Sequence, residues 1–271
     1  MFSSFLLVLG VVVLGAAFRS YHNPICQRLS VTCFLSASFL IGYWPTGSWA
    51  LGFAAVSLWF LLPWLEILTR IRRMRLPLDR AFREKTPPRA ELFPLLEDLT
   101  DEMEKEDFEL AEDVGYDSEV QEQFLRLFHR PSDNVQAAVC LVNQRELAFY
   151  YVSLMTRSRD GQLFVTWNYP FAYSLKFTPK TRVRRVRATM TTHEMCEAHR
   201  SLLKKGRLLD GDILPVSPEE SRGLLEQDLR AQIDHNVRSG LLKPVGAKQV
   251  RYTWRGMLYL WFQFLLDFVR L

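Results

Sequence analysis

The chain has 271 residues, 34 Lys and Arg against 30 Asp and Glu, a formal net charge of +4, and 48% apolar residues. A mean hydropathy of −0.04 means that the apolar residues are concentrated in blocks, and the small net charge argues for no partner of one particular sign. Four cysteines (Cys26, Cys33, Cys140 and Cys196) fall in no CxxC or framework spacing, so free thiols rather than a disulfide scaffold are expected.

Residues 5–18 carry no charge, apolar character returns over 31–44, and the longest run, 49–68, contains only Glu66. These runs predict three membrane spans, at 1–18, 30–44 and 49–68, together forming a transmembrane anchor over 1–71. A helix rises about 1.5 Å per residue and the hydrocarbon core is roughly 30 Å thick. The third run spans that distance unaided; the first two need their flanking residues. One span plus an interfacial or re-entrant hairpin is the alternative. Pro45-Thr46-Gly47-Ser48 separates the second and third runs as a tight turn. No Lys or Arg precedes Arg19, so the basic n-region of a cleaved signal peptide is missing and the first run is expected to be retained.

A basic juxtamembrane linker follows over 72–88. Arg70, Arg72, Arg73, Arg75, Arg80, Arg83 and Lys85 face only Asp79 and Glu84, while the Pro45 turn carries no basic residue. The positive-inside rule then predicts a multi-pass protein with its N-terminus and the Pro45 turn outside, and the Arg19–Arg28 connection and the soluble domain cytoplasmic.

Residues 89–253 are expected to form a soluble domain. Leu92, Leu96, Leu99 and Met103 recur at helical spacing. From Glu91 to Glu122 fourteen acidic residues stand against one basic residue, Lys105, a density that suggests a solvated helix face or a docking surface for a basic partner. Strand texture begins at Val135, with expected strands over 135–142, 147–156 and 163–167, and Asp160-Gly161 supplies the turn of a hairpin.

Lys176, Lys180, Arg182, Arg184, Arg185 and Arg187 then occur with no acid between them. Charge of this kind guards an exposed edge strand against aggregation. On a cytoplasmic domain tethered to a bilayer, Arg182, Arg184, Arg185 and Arg187 are also candidate contacts for anionic lipid. Nucleic acid is not an expected partner, because the patch is short and the domain carries an acidic block. Thr191 and Glu194 have capping-box spacing and open a helix that Lys204-Lys205-Gly206 closes. Ser217-Pro218-Glu219-Glu220 opens another, with Leu225, Leu229, Ile233 and Val237 as its buried stripe. The expected class is α+β: N-terminal transmembrane helices, then a cytoplasmic domain with an antiparallel strand meander and flanking helices, closed by an apolar C-terminal helix.

Motif chemistry is sparse. His193-Glu194-Met195-Cys196-Glu197 places Glu197 where a zincin needs its second His. Asp210-Gly211-Asp212 resembles the start of a calcium loop, but Ser221 occupies the twelfth position, which requires a carboxylate. No phosphate-loop, dinucleotide or nucleophile-elbow motif occurs. No catalytic residue, cofactor or metal ligand is therefore assigned.

The final segment, 254–271, carries a narrow polar stripe of Arg255, Tyr259, Gln263, Asp267 and Arg270 in an otherwise apolar helix. Trp254, Arg255, Trp261 and Arg270 are candidate membrane contacts, with aromatic rings at the headgroup level and arginines reaching phosphate. Packing on the N-terminal spans, burial in the soluble domain, or docking on a membrane-protein partner subunit would also cover this surface. The expected function is a membrane-anchored, non-catalytic interaction or accessory protein whose cytoplasmic domain is held at the bilayer surface. The alternative is a membrane-associated enzyme acting on a lipid-linked substrate.

Overall fold

The structure is a computed structural model that describes residues 2–21, 23–118, 121–144, 147–171 and 173–270. Three long helices come first: α1 (Phe2–Ser20), α2 (Pro24–Tyr43) and α3 (Trp49–Thr69). Two short strands, β1 (Leu76–Pro77) and β2 (Arg83–Glu84), lead to helix α4 (Leu96–Lys105). The main strands follow as β3 (Glu109–Asp117), β4 (Gln121–Arg130), β5 (Val135–Gln144), β6 (Leu147–Arg157), β7 (Leu163–Trp167) and β8 (Thr181–Arg185). Helices α5 (Thr192–Lys205) and α6 (Ser221–Arg238), strands β9 (Leu242–Val245) and β10 (Gln249–Tyr252), and helix α7 (Trp254–Arg270) complete the chain. The class is α+β, as the sequence predicts.

The chain divides into two compact units. The first comprises Met1–Leu76, Ala172–Leu175 and Asn236–Leu271. Two of its helical stretches, Ile25–Tyr43 and Trp49–Arg73, are long and apolar enough to cross a membrane; Phe5–Ser20 is apolar but shorter. Glycines let α2 and α3 approach closely. A Cβ on Gly42 would lie 2.4 Å from the Leu51 carbonyl oxygen, and one on Gly52 would lie 2.6 Å from the Phe39 ring. Small residues serve helix contacts in this way where side-chain burial gives no aqueous driving force. The Trp59 indole N–H donates to Ser38 Oγ at 2.9 Å, tying the two helices at mid-length. The β9–β10 hairpin, with β1 beside β10, was not foreseen in the sequence.

The second unit, Pro77–Phe171 and Lys176–His235, is built on a seven-stranded sheet of order β2-β3-β4-β5-β6-β7-β8. Neighbours are antiparallel except β7 and β8, which run parallel. The Asp160-Gly161 turn joins β6 to β7 as expected, with Gly161 at φ +79°, a conformation glycine adopts at no steric cost. On one face, Phe124, Phe128, Val139 and Leu154 pack with Met103 of α4 and with Met195 and Cys196 of α5. On the other, Leu125, Leu127, Ala138, Cys140 and Val165 pack with Leu225 and Leu229 of α6. Burial on both faces explains why β5 runs nearly continuously apolar instead of alternating. Full burial of each large side chain contributes about 1.5–3 kcal/mol.

The acidic block differs from its reading as a helix face. Among the described residues of the block only 96–105 are helical; β3 occupies Glu109–Asp117 and β4 begins at Gln121. Several of its acids are also paired inside the unit. Lys85 Nζ reaches Asp117 at 2.6 Å and Glu122 at 2.7 Å, and Arg222 reaches Glu112 at 2.9 Å. Thr192 Oγ1 donates to Glu102 at 2.7 Å. A strand whose acids meet cross-strand or helix-borne cations is hidden from a reading that counts charge alone.

Candidate functional site

Helix α7 belongs to the first unit. Its Trp261 ring stacks on Trp64 of α3 at 5.9 Å, and the Trp261 indole N–H donates to the Phe60 carbonyl at 2.8 Å. Met257 and Leu260 are buried, while Trp254, Leu258 and Phe262, one helical turn apart, form an exposed apolar ridge. Arg72 lies over the Trp254 ring at 5.7 Å. Arg255 is exposed. Arg270 ends the helix, and its side chain lies outside the described residues. Packing on the N-terminal helices is thus where the C-terminal helix goes, not the core of the second unit.

The basic segment forms β8, at the edge of the sheet. Its arginines are engaged by their own unit. Arg184 donates to the Ala198 carbonyl at 2.8 Å, Arg185 to the Pro170 carbonyl at 2.8 Å, and the Arg182 guanidinium sits 5.6 Å from the Phe164 ring. Arg187 lies just beyond the strand and is exposed. Arg182, Arg184 and Arg185 therefore lie on an ordered edge strand, with their side chains partly committed inside the unit.

The α5 motif resolves into structure. Thr191 and Glu194 form the expected capping box, with the Thr191 N–H donating to Glu194 Oε2 at 2.9 Å. His193 faces solvent and pairs with Glu106 at 2.7 Å, whereas His199 is buried between Thr156 and Thr166, 2.9 and 3.0 Å from its ring nitrogens. Burial holds the His199 imidazole neutral, its pKa pushed down to about 4. Among the described residues no group of three or more His, Cys, Asp or Glu is placed to hold a metal ion.

Sequence reasoning missed a cavity of about 150 Å³ between the sheet and α6, wholly within the second unit. Its volume originates in residue size. Ala138 and Ser153 are cross-strand partners, and Cys140, two residues along, pairs with both Leu125 and Tyr151. Three small side chains side by side on one sheet face leave space that α6 roofs with Leu225 and Leu229. The available signal was the run of small residues, Ala137, Ala138 and Cys140, in an otherwise bulky strand; its meaning depends on the register with β6.

The polar groups at the cavity are buried, protonated or paired. Tyr151 crosses Trp167 edge-on, at 6.1 Å and 90°, and Tyr169 at 5.1 Å and 88°. Burial raises the Tyr151 phenol well above its ordinary value and pushes the Cys140 thiol up to about 12, so both keep their protons at neutral pH. A protonated thiol is not a nucleophile. Asp228 is held by Arg157 through both carboxylate oxygens, at 2.9 and 2.5 Å. Comparison with family models, with curated proteins and with solved structures finds no match to this chain.

Proposed function

We propose that this chain is a multi-pass membrane protein whose second unit is a cytoplasmic, non-catalytic interaction domain of an accessory kind. The exposed apolar surface of α3 carries this reading. On a helix of 21 residues, Trp49, Phe53 and Leu65 are 63%, 61% and 62% exposed. In water each would forgo about 1.5–3 kcal/mol of burial, whereas acyl chains cover such a surface without penalty. Helix α1, with Phe5, Leu6, Leu9 and Val13 outward, supplies the third span when its flanking residues are included. The outward ridge of Trp254, Leu258 and Phe262 on α7 gives either lipid or a membrane-protein partner a further apolar contact.

The excess of arginine between Arg70 and Arg83 favours a cytoplasmic second unit. Arg182 and Arg187 on the edge of that unit then suit anionic lipid headgroups. The protonated Tyr151 and Cys140 and the neutralised Asp228 support binding over the rival reading, catalysis on a lipid-linked substrate. Reporter fusions after Pro88 and within the 46–48 turn test the topology. The reading expects the first to be active only inside the cell and the second only outside; the reverse pattern defeats it.

A further inference from the structure

The cavity against α6 is a defined space with an unsatisfied hydrogen-bond acceptor in its wall. Gln123 is 5% exposed, lies on the β4 face that carries Leu125, and lines the cavity. Among the described residues nothing donates a hydrogen bond to its Oε1. A buried amide carbonyl left unpaired is unfavourable, so a guest that donates a hydrogen bond there is favoured over one that cannot.

The remaining walls set the size and charge of that guest. Phe82, Met155, Val165 and Leu229 are bulky and apolar, and Trp167 adds an indole ring. A void of about 150 Å³ is the size at which an apolar protein cavity admits a molecule like benzene. The carboxylate of Asp228 is already taken by Arg157, and Arg80 also lines the wall, so nothing there awaits a cation. An anion would lose its hydration against the apolar walls.

We propose that this cavity is a binding site for a small neutral molecule with a benzene-sized apolar body and one hydroxyl or amide N–H, its donor directed at Gln123 Oε1. The site lies within one unit and stands or falls independently of the membrane reading.

The test uses the full chain in detergent micelles and ¹⁹F NMR of two probes, 4-fluorophenol and fluorobenzene, with empty micelles as the control for partitioning. Saturable binding of both is expected, with fluorophenol bound about tenfold more tightly, the difference one hydrogen bond to a buried acceptor produces. Gln123→Leu should erase that preference while retaining fluorobenzene. Ala138→Met, which fills the space, should abolish both, and Ser153→Val is a gentler filling variant if the first destabilises the fold. Thermal unfolding of each variant shows which remain folded, and Gln123→Leu decides alone if neither filling variant does. Probe uptake no greater than in empty micelles, binding that survives filling in a folded protein, or an unchanged hydroxyl preference in Gln123→Leu would each overturn the proposal.

Discussion

Arg126 donates through Nε and Nη2 to both carboxylate oxygens of Asp113, its cross-strand partner, at 2.9 and 3.0 Å. A third donor, Nη1, reaches Thr100 Oγ1 on α4 at 2.9 Å. The guanidinium is thereby buried, at 6% exposure, with its charge matched and its geometry fixed by two elements.

Removing Asp113 leaves the buried guanidinium with only the exposed Glu97, 3.5 Å from Nη1, to match its charge. Asp113→Ala should destabilise the second unit by about 3–5 kcal/mol. Replacing both residues with apolar side chains of similar volume should cost much less. Thermal or denaturant unfolding of the full chain, followed by tryptophan fluorescence, measures both variants. Equal losses in the single and the double variant would show that packing, not charge pairing, sets the cost.

His199 gives the second unit a defined acid sensitivity. Its folded pKa, about 4, lies below the ordinary histidine value of 6.5. The unfolded chain therefore binds a proton that the folded chain refuses between those two values. Stability is fully present above pH 6.5 and is lost as pH falls towards 4, by about 3 kcal/mol in all. Unfolding midpoints taken from pH 7 to 4 should fall more steeply for the native chain than for His199→Gln, which has no proton to gain. Parallel curves would remove His199 as the cause.

The arginines of β8 should separate into two classes. Arg184→Gln loses a charge-assisted bond to the Ala198 carbonyl and should cost about 1.5–3 kcal/mol of stability. Arg182→Gln with Arg187→Gln should leave the fold largely intact. In nanodiscs, the native chain should gain thermal stability when anionic lipid replaces zwitterionic lipid, and salt should shrink that gain. The double variant should gain less. An identical gain in both proteins would remove these two residues from lipid contact.

Trp261 fastens α7 to α3. Trp261→Ala removes the bond to the Phe60 carbonyl and the stacking on Trp64, together about 1–3 kcal/mol. Trypsin cleavage at exposed Lys248, in the hairpin turn before α7, should accelerate roughly tenfold. Trp261→Phe keeps most of the ring contact and should fall between. No change in cleavage with either variant would mean that other contacts hold the helix.

Several features were legible in the sequence because their causes lie within a few residues of one another. The third apolar run was read as 49–68 and is helical over Trp49–Thr69. The Asp160-Gly161 turn, the Thr191–Glu194 capping box, and the Ser217 N–H donating to Glu220 at 3.0 Å are likewise local. Run length, a positive φ and a cap each need only neighbours along the chain. Helix α2 begins at Pro24 rather than 30 because Asn23 caps it, accepting from the Ile25 N–H at 2.9 Å across polar residues that an apolar count discards.

Tertiary structure decided the rest. Arg126 and Asp113 look like solvated charges until β3 and β4 are brought into register. The edge arginines look free until α5 offers the Ala198 carbonyl. Helix α7 has an apolar arc that several surfaces would satisfy, and only the placement of Trp64 and Phe60 picks one. The cavity exists because Ala138 and Ser153, 15 positions apart in sequence, are cross-strand partners, and no local preference fixes that pairing. Each of these depends on contacts between residues distant in sequence, whose partners are set by the packing of whole elements rather than by their own type.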